Sequence, residues 1–210
     1  MTRRPLKSRG STWAVLAAQW LARIPVRPNH ISVLSMVFAS AAGLCMLLSA
    51  GRAKYFLAAA VLIQLRLLCN LLDGMVAIEG GLKSKSGEIF NDLPDRVSDA
   101  VVLILAGYSI SWPEWGRELG WITALMAIMT AYVRVLGGAV GLQQDFGGPM
   151  AKPHRMAILT VACVGAAIEA GLGVTQRSLA IALLVISIGS MATVVRRTAR
   201  IIHQLENSTS

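Results

Sequence analysis

The chain has 210 residues, of which 55% are hydrophobic and only 15% are charged, and its mean hydropathy is +0.60. A soluble domain carries about a quarter charged residues, so this composition excludes an ordinary soluble protein. The net charge is +9, but no basic segment interleaved with aromatic residues carries it, and we expect no nucleic-acid partner. The basic excess instead indicates cytoplasmic flanks that meet anionic lipid of a bilayer.

The first predicted element lies in residues 1–30, a basic N-terminus followed by a short amphipathic segment. Trp13, Leu16, Trp20 and Ile24 recur there at helical spacing. Tryptophan favours the depth of the lipid headgroups, where an amphipathic helix lies parallel to the membrane. We therefore expect an interfacial helix ahead of the first membrane span.

Six long apolar runs follow, each interrupted by few charges. A membrane-spanning helix needs roughly twenty apolar residues, and continuous apolar runs favour helices over half-buried strands. We expect spans at residues 31–50, 54–73, 91–112, 119–140, 155–172 and 178–195. The predicted fold is an all-α integral membrane protein with six transmembrane helices in one domain, residues 31–204, followed by a polar tail, residues 205–210.

The basic residues of the short loops predict the orientation. With six spans both termini lie on one side, and that side also holds the basic loops around 78–90 and 141–154. The loops of the other side contain few basic residues: Arg52, Lys54, Arg117 and Arg177. Because basic loops stay in the cytoplasm, we expect a multi-pass protein whose termini and two basic loops are cytoplasmic.

The segment 70–99, around the second and third spans, is rich in acidic and amide side chains. Asn70 and Asp73 are three positions apart and Asn91 and Asp95 are four apart, so each pair shares one helix face. Two such faces on neighbouring helices could converge oxygen ligands on a hard cation. A solvated acidic loop would explain the same spacing equally well.

This segment resembles the signature of the CDP-alcohol phosphatidyltransferase family, Asp-x-x-Asp-Gly-x-x-Ala-Arg followed after a spacer by Gly-x-x-x-Asp-x-x-x-Asp. The positions that match are Asp73, Gly74, Ala77, Gly87 and Asp95. The residues from Pro28 to Ser32 also resemble the family's usual Pro-Asn-x-Leu/Ile-Thr at the start of the first span. The number of spans and the interfacial helix agree with the same family.

Three positions depart from the signature. Its first and third aspartates are Asn70 and Asn91 here, and its arginine is Ile78. Asparagine offers a carbonyl oxygen without charge, so two signature carboxylates remain where the family has four, and we expect weaker binding of divalent cations. Asp92 and Asp99 lie close by, and either could compensate in part.

The resemblance implies transfer of a phosphatidyl group from CDP-diacylglycerol, or a similar CDP-linked lipid, to a small alcohol or alcohol phosphate, with release of CMP. It implies Mg²⁺ or Mn²⁺ as cofactor, because cations must neutralise the diphosphate as the nucleophile approaches. Asp73, Asn70, Asn91 and Asp95 are the expected metal ligands, and Asp95 is also the expected general base. The active site would then lie on the cytoplasmic side.

The resemblance also implies which residues contact the nucleotide and how many chains assemble. Gly74, Ala77 and Gly87 are expected to lie against the cytidine nucleotide, with Asn29 supporting that region. Members of the family commonly pair, so we expect a homodimer in the bilayer.

A second, basic cluster lies on the same predicted side. Arg134 is inside a span, which marks it as a functional candidate, and Lys152 and Arg155 are three apart at the start of the next. We expect these three to bind a phosphate on the acceptor. Alternatively, Lys152 and Arg155 are a cytoplasmic flank and Arg134 pairs with an acidic neighbour such as Asp145. Arg66 is expected to pair with an aspartate rather than to contact the diphosphate.

Three functions are compatible with these features. The first is an active phosphatidyltransferase with a charge-depleted metal site. The second is a catalytically weak relative that binds the nucleotide-lipid or partners without turnover. The third is a small transporter or helical scaffold, which would leave the order of the signature residues unexplained.

Overall fold

A computed structural model describes residues 28–79 and 87–208. The predicted interfacial helix falls almost wholly outside these ranges. The side chains of Asn29, Ala77 and Asn91, three predicted site residues, are also outside the description.

Within the described ranges the chain forms six helices and no strand. They are α1 (Pro28–Leu47), α2 (Ala53–Glu79), α3 (Gly87–Tyr108), α4 (Gly116–Ala139), α5 (Lys152–Leu172) and α6 (Ser178–Ser208). All except α3 are long and apolar enough to cross a membrane. The prediction of an all-α integral membrane protein is therefore confirmed.

The predicted ends of two helices were wrong. Helix α2 continues past residue 73 to Glu79, so Asp73 lies within a helix rather than at its end. Helix α6 continues past residue 195 to Ser208. In α6, good helix formers such as Arg, Ala, Gln and Glu extend the helix beyond its apolar run. In α2, the residues after Asp73 are mostly apolar, and the helix continues past this single charge.

The helices close into a ring. Helix α1 packs against α2 and α3, α2 against α5, α5 against α6, α6 against α4, and α4 against α3. Fully buried apolar side chains fill the interior, among them Phe56, Ile63, Leu103, Met156 and Leu183. Charged side chains of α2, α3 and α5 meet inside this ring, although α5 is separated from α2 and α3 in the chain by α4.

Two contacts organise one end of the bundle, which we call the far end and define by Gly107, Gly120 and Glu169. A Cβ added to Gly107 of α3 would lie 2.6 Å from Gly120 Cα of α4, so the two helices approach as closely as small residues allow. The Glu169 carboxylate of α5 accepts hydrogen bonds from the backbone N–H groups of Arg177 and Ser178. It thereby caps the N-terminus of α6, whose first N–H groups have no partner within the helix.

Candidate active site

The polar residues singled out by the signature lie at the opposite end of the bundle, which we call the site end and define by Asp73, Asp95 and Lys152. On α2, Asp73 Oδ2 accepts a hydrogen bond of 2.8 Å from Ser32 Oγ of α1. Asn70 Oδ1 accepts one of 2.9 Å from Ser35 Oγ. Asp73 is 3% exposed, and its other oxygen, Oδ1, has no hydrogen-bond partner in the described chain. A buried carboxylate oxygen without a partner is costly, which makes it a candidate ligand atom.

Asp95 of α3 faces the same region. The Lys152 ammonium of α5 donates to Asp95 Oδ2, and the Arg66 guanidinium of α2 lies 3.8 Å from Oδ1. The Asp95 and Lys152 side chains are 13% and 16% exposed, so both can be reached from outside the bundle. Both also act electrostatically on Asp73. The structure thus brings Asp73, Asp95 and Lys152 into one polar cluster.

Asp99, one turn further along α3, is held by two arginines. Arg66 of α2 contacts its Oδ1, and Arg155 of α5 lies 2.8 Å from its Oδ2. All three side chains are 2% exposed or less. Arg155 also donates to Thr130 Oγ1 of α4, at 3.1 Å. The expectation that Arg66 pairs with an aspartate is confirmed, and this carboxylate is already occupied by protein cations.

Asp92, at the start of α3, is also occupied. Its two carboxylate oxygens lie 2.7 and 2.8 Å from Arg134 Nη2, and Arg96 lies 3.3 Å away. Arg134 therefore pairs with Asp92 and not with Asp145, which instead binds Arg200 at 2.9 Å. Asp92 and Asp99, the two carboxylates that could have replaced the missing charges, are both engaged by arginines.

The residues present fit one hard cation better than two. No cluster of three or more His, Cys, Asp or Glu side chains is placed to hold a metal ion in the described ranges. Among the described side chains, the available donors are the unpartnered oxygen of Asp73, the Asn70 carbonyl, which has a second lone pair, and Asp95. Mg²⁺ commonly binds proteins through one or two carboxylates and takes its other ligands from water and substrate phosphates.

The other predicted residues have mixed placements. Gly74 is buried directly after Asp73, and Gly87 is half-buried at the first position of α3. Arg134, the partner of Asp92, lines a groove of about 380 Å³. The other basic or acidic residues of this groove are Asp145, Arg197, Arg200 and His203. Arg155 lies inside the bundle, away from this groove, so the three predicted acceptor-binding residues do not converge on one free surface.

Sequence reasoning missed the two serines and the partners of the carboxylates. Ser32 and Ser35 are three apart on α1, a spacing that signals a shared face but not what it faces. The near balance of acidic and basic residues in the predicted site was the available signal for the ion pairs.

A model of the CDP-alcohol phosphatidyltransferase family matches residues 25–195. The chain therefore belongs to this family of membrane phosphotransferases, and the prediction of an enzyme of this class is confirmed.

Two curated relatives and one solved protein illustrate the likeness. The inner membrane protein YnbA of Escherichia coli is 28% identical over 66% of this chain and 67% of its own. The phosphatidylinositol phosphate synthase of Mycobacterium marinum is 29% identical over 76% of this chain and 68% of its own. The Mycobacterium tuberculosis phosphatidylinositol phosphate synthase with CDP-DAG bound has a TM-score of 0.74 and 22% identity, over 91% of this chain and 94% of that one. A second structure of it contains manganese and citrate, with a TM-score of 0.73.

Proposed function

We propose that this protein transfers a phosphatidyl group from CDP-diacylglycerol, or a similar CDP-linked lipid, to a small alcohol or alcohol phosphate and releases CMP. The observation that carries this proposal is the buried, unpartnered oxygen of Asp73 beside Asp95, at two positions of the family signature. The names of the mycobacterial relatives favour the same chemistry. The orientation with site and termini in the cytoplasm, and a homodimer, are part of the proposal.

Mg²⁺ or Mn²⁺ is the proposed cofactor, in line with the manganese of the mycobacterial structure. Asp73, Asn70 and Asp95 would hold it, with Asn91 as the remaining predicted ligand. When bound, the ion supplies positive charge against the diphosphate. Ser32 and Ser35 orient the Asp73 and Asn70 side chains toward this position.

The reaction requires one proton acceptor, and Asp95 is proposed for it. The acceptor hydroxyl oxygen forms a bond to the lipid-side phosphorus, and the bond from that phosphorus to the bridging oxygen breaks. The electron pair leaves on CMP, and the hydroxyl proton passes to the Asp95 carboxylate. The partial exposure of Asp95 allows a water-soluble acceptor to reach it. Gly74, Ala77, Gly87 and Asn29 remain the predicted contacts of the nucleotide.

The acceptor is proposed to be a small alcohol or alcohol phosphate. The groove lined by Arg134 and Arg200 could take a phosphorylated alcohol, and the relatives named phosphatidylinositol phosphate synthase favour inositol phosphate among these. Lys152 and Arg155 remain predicted phosphate contacts, although in the structure their cationic groups face Asp95 and Asp99.

The test is CMP release from CDP-diacylglycerol by the purified protein with Mn²⁺, over glycerol phosphate, inositol phosphate and neutral alcohols. Asp95→Ala should abolish release, whereas Glu114→Ala, which removes an exposed carboxylate of the far end, should retain it. Failure of the wild type with every acceptor would refute the proposal.

A catalytically weak relative is the second candidate. It is favoured by the uncharged Asn70 and Asn91 together with the occupied carboxylates Asp92 and Asp99. If it is correct, the wild type binds CDP-diacylglycerol without releasing CMP, and the double variant Asn70→Asp with Asn91→Asp gains metal affinity.

A further inference from the structure

Among the described residues, the ion-pair cluster of the site end contains more cationic side chains than carboxylates before any metal ion binds. Four carboxylates take part in it: Asp73, Asp92, Asp95 and Asp99. Five cationic side chains contact those of α3: Arg66, Arg96, Arg134, Lys152 and Arg155. Two divalent ions would add four positive charges to a partly buried cluster that already exceeds neutrality. Like charges at close range repel strongly where water is excluded.

The free ligand atoms lead to the same conclusion. Asp92 and Asp99 are held by arginines, and one oxygen of Asp95 is taken by Lys152. Among the buried carboxylate oxygens of the described residues, Asp73 Oδ1 is the one without a hydrogen-bond partner, on a residue that is 3% exposed. One divalent ion can be anchored there. A second would have to displace the lysine from Asp95.

The position and charge of Lys152 suit it to bind a phosphate. It is the first residue of α5, after an N-cap, Ala151, whose side chain makes no capping hydrogen bond. The positive end of the helix dipole therefore adds to its charge. Its ammonium is a compact charge on a flexible stem, a group that binds phosphate as a point charge. It lies against Asp95 and acts on Asp73, the two carboxylates of the proposed reaction.

We propose that the site holds a single divalent cation, anchored on Asp73, and that the Lys152 ammonium supplies the second positive charge to the diphosphate of the CDP-linked lipid. This inference rests on the proposed function and names one of its catalytic residues. In the free protein the ammonium lies on Asp95. On substrate binding it turns to a phosphate oxygen, which releases Asp95 Oδ2 to accept the hydroxyl proton. The uncharged Asn91 agrees with this arrangement. A second metal ion would need an anionic ligand at that signature position, whereas the Lys152 ammonium does not.

The test counts metal ions and measures substrate binding without turnover. Mn²⁺ titration of the full-length protein, followed by electron paramagnetic resonance, should give one ion per chain. Lys152→Met frees Asp95 and should tighten Mn²⁺ binding about tenfold. The same variant should bind CDP-diacylglycerol about tenfold more weakly at saturating Mn²⁺. Lys152→Arg keeps the charge and should stay near the wild type in both measurements. Lys54→Met, an exposed lysine of the far end, is the matched control.

Each possible result supports or overturns the inference. Two ions per wild-type chain, or none, would overturn the inference, and so would unchanged Mn²⁺ and lipid affinities in Lys152→Met. If Lys152→Met does not fold, Lys152→Gln provides the same comparison with a polar side chain. If the wild type releases no CMP with any acceptor, the proposed function is refuted, but the measured number of Mn²⁺ ions per chain still tests the inference. Two ions together with CMP release would refute the inference alone.

Discussion

The two halves of α3 differ in how they are held to the rest of the bundle. The half toward the site end carries Asp92, Asp95 and Asp99, and charged side chains from α2, α4 and α5 contact it. The half toward the far end is apolar and approaches α4 at glycines. Apolar packing stabilises at little cost, whereas buried ion pairs often stabilise no more than apolar residues of the same size. We therefore expect the charges of the site-end half to serve the proposed reaction more than the stability of the bundle.

Removing a buried ion pair from the site-end half of α3 should have the largest effect on the free energy of unfolding. Asp99→Ala would leave Arg66 and Arg155 buried without their shared partner, and removing one member of a buried ion pair costs about 3–5 kcal/mol. The free energy of unfolding in mixed micelles measures this loss. Asp145→Ala breaks the more exposed pair with Arg200 and should cost at most about 1 kcal/mol. Equal losses of unfolding free energy in both variants would show that the buried ion pairs stabilise the protein no more than the exposed pair.

Disrupting the glycine contact of the far-end half should lower stability less and leave Mn²⁺ binding unchanged. Gly107→Ala places a Cβ within 2.6 Å of Gly120 Cα, so α3 and α4 must separate, at a cost of about 1–3 kcal/mol. Gly171→Ala is the matched control, because a Cβ there meets nothing within 4 Å. Thermal unfolding should distinguish the two variants, while Mn²⁺ affinity should be unchanged in both. A change of Mn²⁺ affinity in Gly107→Ala would mean that the halves of α3 are coupled.

The smallest effect is expected at the cap of α6. Glu169→Ala removes the acceptor of the Arg177 and Ser178 N–H groups, and loss of a helix cap costs about 1 kcal/mol. Hydrogen exchange of the first turn of α6 should speed up, with no change in Glu114→Ala, an exposed acidic residue of the same end. Unaltered exchange in Glu169→Ala would argue against a capping role.

The sequence predicted five of the helices well because lipid imposes a long apolar run on each of them, whereas the charged half of α3 interrupts such a run. It predicted the ends of α2 and α6 poorly, because the predicted spans stop at the charged residues Asp73 and Arg196, whereas both helices continue past them.

The ion pairs of the site were less predictable from sequence. Lys152 and Arg155 are one turn apart on α5, yet one contacts Asp95 and the other Asp99. Arg134 pairs with Asp92, although Asp145 is nearer in sequence. Such choices depend on the ring order and the rotation of each helix, and spacing within one helix contains neither. The signature residues Asp73 and Asp95 could be located because they are read from a pattern.

The most direct test of the account is Mn²⁺-dependent CMP release from CDP-diacylglycerol by the wild type and by Asp73→Asn, which removes the charge but keeps the size of the side chain. The account predicts release by the wild type with at least one alcohol or alcohol phosphate, and a loss of about a hundredfold or more in the variant. Equal release by the two proteins, or none by the wild type with any acceptor, would contradict it.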